Sequence, residues 1–212
     1  MVSSMKDYLN KEVKVNKKEF ISILCLIIVI SGVFGWIYEF FFYYMNSGFK
    51  EFYMRGGNFL PWINIYAYGA LLIILLTFKR RKHPLQVFLI SALSTGILEF
   101  ISGYVLYGVL GQTRCWDYNQ EILNFGNIGG YVCLRSVTVF GMCGLLLIYV
   151  ILPLLIKLAK KVNINVLLVI SVILCTIFLS DEIYNLVVTK LLNTPKASYF
   201  YKAMGWEYLY FK

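Results

Sequence analysis

Residues 20–44 read FISILCLIIVISGVFGWIYEFFFYY, and Glu39 is the only charged side chain in this run. A helix needs about 20 mainly apolar residues to cross roughly 30 Å of hydrocarbon. The run is long enough and apolar enough to do so, and it therefore predicts a transmembrane helix. Its length, and the lysine-rich segment before it, favour an uncleaved signal-anchor helix over a removable signal peptide.

Four further apolar runs follow the first one. They are residues 61–78, 85–110, 137–156 and 164–192. None shows the ten-residue alternation of a barrel strand, and an open sheet cannot span lipid. We therefore predict an all-α, polytopic transmembrane helix bundle of about five spans over residues 20–192. A basic segment precedes it at 1–19, and an aromatic tail at 193–212 suits the membrane interface.

Basic residues in the short loops predict the orientation of the bundle. Twelve lie before the first run, after the second and after the fourth: Lys6, Lys11, Lys14, Lys17, Lys18, Lys79, Arg80, Arg81, Lys82, Lys157, Lys160 and Lys161. The opposite loops hold four: Lys50, Arg55, Arg114 and Arg135. The positive-inside rule then predicts a plasma-membrane protein with a cytoplasmic N-terminus and an external C-terminus. Because the net charge of +9 lies in such clusters, we expect no nucleic-acid partner.

Glu99 is the first candidate for a functional residue, because it lies near the middle of the third run. An ionisable side chain there is unfavourable by about 3 kcal/mol on insertion scales and is commonly functional. Thr95, Gly96, Ser102 and Gly103 lie three or four positions away, which makes one helical face small and polar. We expect Glu99 to face protein or water, with Glu39, a basic residue or a polar aromatic within reach.

Other polar residues in the predicted outer half extend this site. The proposed set is Glu39, Arg55, Glu99, Asp117 and Arg135. The carboxylates could serve as ligands for an ion or a solute, or they could only tie helices together as hydrogen-bond partners. Asp181 and Glu182 interrupt the fifth run, and an interfacial position is the favoured interpretation for both.

Signals for enzymatic chemistry are weak. His83 is the only histidine and lies beside a basic cluster, and no P-loop or metal-ligand spacing occurs. An enzyme is therefore the least favoured class, and no cofactor is predicted. Cys115 and Cys133 share one polar loop; they could form a disulfide if that loop faces an oxidising space, and two free thiols are the equal alternative.

The chain resembles the CmpB-like family of small bacterial membrane proteins, described as putative ABC-transporter permeases. The resemblance covers about residues 32–153. Its landmarks are Gly35-Trp36-Ile37-Tyr38-Glu39, Arg55-Gly56, Pro61-Trp62, Ile65-Tyr66, Leu98-Glu99-Phe100 with Ser102, Trp116-Asp117-Tyr118, Cys133-Leu134, Ser136, Phe140-Gly141, Gly144 and Pro153. The chain departs from the family pattern at Tyr107 and Tyr131, where the family tends to carry a Glu and an Arg.

Two functional hypotheses follow. The first, implied by the resemblance, is a permease-like component of small-solute or ion transport with a polar site in the outer half of the bundle. The second is a non-transporting accessory, sensor or immunity protein whose intramembrane carboxylates are structural. Expected partners are membrane lipids, an ATPase or another membrane protein, and further copies of the chain.

Overall fold

A computed structural model describes residues 5–10, 12–50, 56–109 and 116–205, and these residues form seven helices. The helices are α1 (Met5–Asn10), α2 (Lys17–Asn46), α3 (Asn64–Thr77), α4 (Pro84–Val109), α5 (Leu134–Lys161), α6 (Ile164–Leu191) and α7 (Ala197–Ala203). Within these ranges the β pairing consists of one isolated bridge, between Ile128 and Val132. The predicted all-α class is confirmed.

Four of the helices, α2, α4, α5 and α6, are long and apolar enough to cross a membrane. Each overlaps one of the predicted runs, so the chain is a multi-pass membrane protein. The remaining run, 61–78, forms the shorter α3, which has 14 residues. An α-helix of that length rises only about 21 Å. Four of the about five predicted spans therefore correspond to helices with the length and composition of a membrane span.

The residues before α3 explain why the helix is shorter than the apolar run. Pro61, Trp62 and Ile63 precede the helix and lie in a loop, where Trp62 is 5% exposed. The Ile63 N–H donates to the carbonyl of Gly32 in α2 at 3.0 Å. Three apolar residues of the run are thus used to pack a loop, and only the rest of the run is helical.

The structure divides into two compact units. Unit 1 takes in the described residues of Met1–Leu24 and Gly69–Leu168, and unit 2 those of Cys25–Tyr68 and Val169–Lys212. In unit 1, α4 packs closely on α5 because glycines face larger side chains across the contact. A Cβ added at Gly144 would lie 2.2 Å from the Ser91 hydroxyl, and one at Gly141 would lie 2.6 Å from the Phe88 ring.

Unit 2 has its own apolar core. Trp62, Ala67 and Phe178 are its buried members. The Trp62 and Phe178 rings are tilted against each other with their centroids 5.0 Å apart. Gly32 lets α2 approach them, because an added Cβ would lie 2.5 Å from the Phe178 ring. The core thus joins α2, α6 and the loop before α3.

Candidate functional site

Glu99 is buried in unit 1, with 6% of its surface exposed. It lies on the face of α4 that also carries the buried Thr95, Gly96 and Gly103. This face packs against protein, since a Cβ at Gly96 would meet Val137 of α5 at 2.9 Å. The prediction that Glu99 faces protein and not lipid is confirmed.

Two hydroxyl groups donate to the Glu99 carboxylate. The Tyr118 hydroxyl donates to Oε1 at 2.5 Å, and the Ser136 hydroxyl donates to Oε2 at 2.8 Å. Burial, with the Glu99 charge beside it, raises the pKa of the Tyr118 hydroxyl above its ordinary value. Tyr118 therefore stays a neutral donor at physiological pH. It is also the polar aromatic that was expected within reach of Glu99.

Tyr118 reaches Glu99 because the loop between α4 and α5 folds back on itself. The Tyr118 N–H donates to the carbonyl of Gly130 at 3.2 Å. Gly126, Gly129 and Gly130 all have positive φ, a conformation that glycine adopts without a steric penalty. The glycine-rich region of the loop thus acts as the turn that returns the chain to the start of α5.

Ser136 reaches Glu99 because it lies in the first turn of α5. Its hydroxyl accepts a hydrogen bond from the N–H of Cys133 at 3.3 Å, as part of a capping box. The hydroxyl is also 2.9 Å from the Cys133 carbonyl oxygen. The helix start therefore fixes the position of the second donor to the carboxylate.

A buried ion pair extends the site. Arg135 Nη2 lies 2.6 Å from Glu121 Oε2, and the two side chains are only 11% and 5% exposed. The Arg135 guanidinium carbon is 5.2 Å from the centre of the Tyr118 ring. Tyr118 is therefore held between the carboxylate of Glu99 and the cation of Arg135. The contact between the cation and the face of the ring is electrostatically favourable.

The structure gathers only part of the predicted site. Glu99 and Arg135 meet through Tyr118, whereas Glu39 is half-buried in α2 and belongs to unit 2. Asp117 accepts hydrogen bonds from Asn119, from its N–H at 3.1 Å and its amide at 2.8 Å, and so closes a turn.

Two predicted residues, Arg55 and Cys115, lie outside the described residues. The disulfide between Cys115 and Cys133 therefore stays a prediction; Cys133 itself is 1% exposed. At Tyr107 and Tyr131, the two positions where the chain was expected to depart from the family pattern, two stacked rings have their centroids 6.5 Å apart.

Unit 2 contains a second buried carboxylate, Asp181, which is 7% exposed. It accepts four N–H donors. They are the Phe59 N–H at 2.9 Å, the Leu60 N–H at 3.0 Å, the Trp62 indole at 3.0 Å and the Asn185 amide at 2.8 Å. The carboxylate thus fixes the loop before α3 to α6. The interfacial position predicted for this residue stays a prediction, and the structure adds that its side chain is buried inside the protein.

Glu182, the next residue, is also buried, at 6% exposed. The Tyr68 hydroxyl donates to its carboxylate, and Asn64 hydrogen-bonds to the same group. The Asn58 amide in turn donates to Asn64 Oδ1 at 3.0 Å. This network joins the first turn of α3 to α6 within unit 2.

Sequence reasoning missed Glu121 and did not connect Ser136 or Tyr118 with Glu99. Tyr118 and Ser136 were landmarks of the family pattern, which was the available signal for them. Glu121 lies in a polar loop and carried no signal. Among the described residues, no group of three or more His, Cys, Asp or Glu side chains could hold a metal ion. The interactions that the site shows are hydrogen bonds and an ion pair.

Comparison with known proteins places the chain by family. The model of the family described as "Putative ABC-transporter type IV" matches residues 7–186. No curated protein and no solved structure matches the chain. The matched region contains Glu99, Tyr118, Glu121, Ser136 and Arg135.

Proposed function

The chain belongs to the "Putative ABC-transporter type IV" family, and on that basis we propose that it is a permease-like component of small-solute or ion transport. The observation that carries the proposal is the burial of Glu99 between two hydroxyl donors. An intramembrane carboxylate is unfavourable for insertion and typically marks an ion or solute pathway.

The hydroxyl donors support this role because they leave the carboxylate able to exchange a proton or a ligand. Tyr118 and Ser136 are neutral groups, and either hydrogen bond can be replaced by one from a solute or from water. The nearby pair of Arg135 and Glu121 supplies opposite charges for orienting a polar substrate. Glu39, Arg55 and Asp117 remain proposed members of the pathway.

In the proposed orientation, α3 together with the buried loop before it completes a fifth crossing. The N-terminus then lies in the cytoplasm, the C-terminus outside and the Glu99 site in the outer half of the membrane. The orientation rests on the twelve basic residues at the proposed cytoplasmic end against four in the opposite loops. In this orientation an ATPase would meet the short loops between α3 and α4 and between α5 and α6. An ATPase partner and self-association are parts of the proposal.

The second candidate function is a non-transporting membrane accessory in which the carboxylates only hold helices together. Asp181 favours it, because four N–H donors surround that carboxylate as they would a structural anchor. Glu99 would then have the same role in unit 1, joining α4, the loop and α5.

Purification of the tagged full-length chain from its own membrane tests the two candidates. Transport predicts that an ATP-hydrolysing protein co-purifies, and that Glu99→Gln lowers its ATP turnover at least about tenfold while the protein stays folded. The exposed Glu12→Gln is the matched control and should retain full turnover. Near-normal turnover in Glu99→Gln, with misfolding of Glu99→Leu, would support the structural role and contradict the transport proposal.

A further inference from the structure

One end of unit 1 carries a dense set of exposed basic side chains. We call this set the cationic end. Its members are Lys14, Lys17, Lys18, Lys157, Lys160 and Lys161. The same described stretches, 12–24 and 157–165, contain two acidic residues: Glu12 and Glu19. The balance of charge at this end is therefore strongly positive.

The N-terminal segment that leads to this end is fixed to the middle of α5 by Tyr8, which is fully buried. The Tyr8 hydroxyl donates to the carbonyl of Ile148 in α5 at 2.8 Å. Arg81 Nε donates to the Tyr8 carbonyl at 2.8 Å, and the Tyr149 hydroxyl donates to the Arg81 carbonyl at 2.8 Å. These bonds connect α1, the loop after α3 and the middle of α5.

A defect in α5 explains why Tyr8 binds where it does. In a regular α-helix the Leu152 N–H would donate to Ile148, but in the π-helical turn Leu147–Ile151 it donates to Leu147. The next residue, Pro153, has no N–H to offer. The Ile148 carbonyl is thus left without its helical donor, and the Tyr8 hydroxyl satisfies it.

Two lysines complete the attachment of the N-terminal segment. Lys160 Nζ donates to the Lys14 carbonyl at 2.9 Å, and Lys18 Nζ donates to Asn165 Oδ1 at 2.7 Å. Lys14 and Lys18 are therefore held beside the end of α5 and the start of α6. Two segments that are far apart in the chain contribute to one basic surface.

Exposed apolar residues border this surface. Leu154 and Leu158 of α5 are 60% and 38% exposed, and Phe20 of α2 is 52% exposed. In a membrane protein such residues face the acyl chains, while lysines one turn further along extend to the headgroups. The connection between α5 and α6 is short, which keeps the lysines near the membrane surface.

We propose that the cationic end is a binding surface for anionic phospholipid headgroups. Its charge complements a lipid phosphate, and its apolar border places that charge at headgroup depth. Each basic residue near an anionic membrane surface contributes about 1 kcal/mol of attraction. Exposed lysines act here as point charges with flexible reach, which suits a fluid layer of lipid better than one rigid ligand.

The test compares lipid association around the full-length chain in vesicles that contain phosphatidylcholine with a minor fraction of phosphatidylglycerol. The variant replaces Lys17, Lys157 and Lys161, three exposed lysines of the cationic end, with Gln. Its matched control replaces Lys190, Lys196 and Lys202, three exposed lysines of unit 2, with Gln. Spin-labelled lipids measure the preference for phosphatidylglycerol over phosphatidylcholine.

We expect the wild-type chain and the control to prefer phosphatidylglycerol over phosphatidylcholine. In the variant this preference should be about tenfold weaker. Raising the salt concentration to 1 M should abolish the preference of the wild-type chain, and this holds even if the variant fails to fold. Equal association of both lipids with the wild-type chain would overturn the proposal. So would an equal loss in the control, or a cationic end that binds only an acidic protein.

Discussion

At the scale of single residues, the buried carboxylates determine how the loops meet the helices. Asp181 in α6 receives hydrogen bonds from two backbone N–H groups of the loop before α3 and from the Trp62 indole. Glu99 in α4 receives two hydroxyl donors, one of them from the loop before α5. Each carboxylate therefore fixes a connecting segment to a helix by satisfying its polar groups.

Asp181→Asn should destabilise the protein, because the new amide group would point an N–H at the existing N–H donors. Leaving buried donors unsatisfied costs about 1–3 kcal/mol, and more where a charge is involved. We expect a loss of about 3 kcal/mol in the free energy of unfolding in detergent, together with a change in Trp62 fluorescence. Glu12→Gln, at a side chain that is 82% exposed, is the control. Unchanged stability in the Asp181 variant would contradict the anchoring role.

At the scale of helices, α4 and α5 approach closely through small residues, as membrane helices commonly do. Gly144→Ala should disrupt this contact, because its Cβ would lie 2.2 Å from the Ser91 hydroxyl and 2.5 Å from the Ser91 Cβ. We expect a loss of about 1–3 kcal/mol, which is typical of overpacking.

Two further variants test that explanation. Ser91→Gly removes both clashing atoms and should restore most of the stability lost in Gly144→Ala. Gly69→Ala is the control, because its Cβ would meet its nearest neighbour, in Thr95, at an ordinary 3.6 Å. A Gly144→Ala variant as stable as the wild-type chain would show that the two helices are further apart.

The N-terminal segment is a second feature at this scale. Tyr8→Phe removes the donor to the Ile148 carbonyl and should cost about 1 kcal/mol. It should also speed tryptic cleavage at Lys14. In a Pro153→Ala background the cost should shrink, because the new backbone N–H can donate to that carbonyl instead. Tyr199→Phe, at a tyrosine that is 60% exposed, should change neither measurement. Equal costs in both backgrounds would show that Tyr8 does not compensate for Pro153.

At the scale of the whole molecule, the distribution of basic residues predicts the topology. Reporter fusions after His83 and after Tyr118 should report opposite sides of the membrane, with His83 in the cytoplasm. The two sites are separated by α4, one of the four helices long enough to span. Fusions that report the same side would mean that α4 does not cross, and an inverted pair would contradict the orientation.

The sequence by itself determined the membrane class, the four long helices and the burial of Glu99. The reason is that membrane insertion depends on a sum over about 20 consecutive residues, which can be evaluated locally. A carboxylate within such a segment must also turn away from lipid wherever the rest of the chain lies. The apolar run 61–78 overestimated the length of its helix at the start, because Pro61 to Ile63 lie in the loop before it.

Only the tertiary structure decided which side chains meet. Tyr118 and Glu99 are 19 positions apart, Ser136 and Glu99 are 37 apart, and Tyr8 and Ile148 are 140 apart. Such contacts depend on the packing of α4 on α5 and on the turns of the loop between them. No local pattern records them, because a hydrogen bond between distant positions leaves no periodicity in either segment.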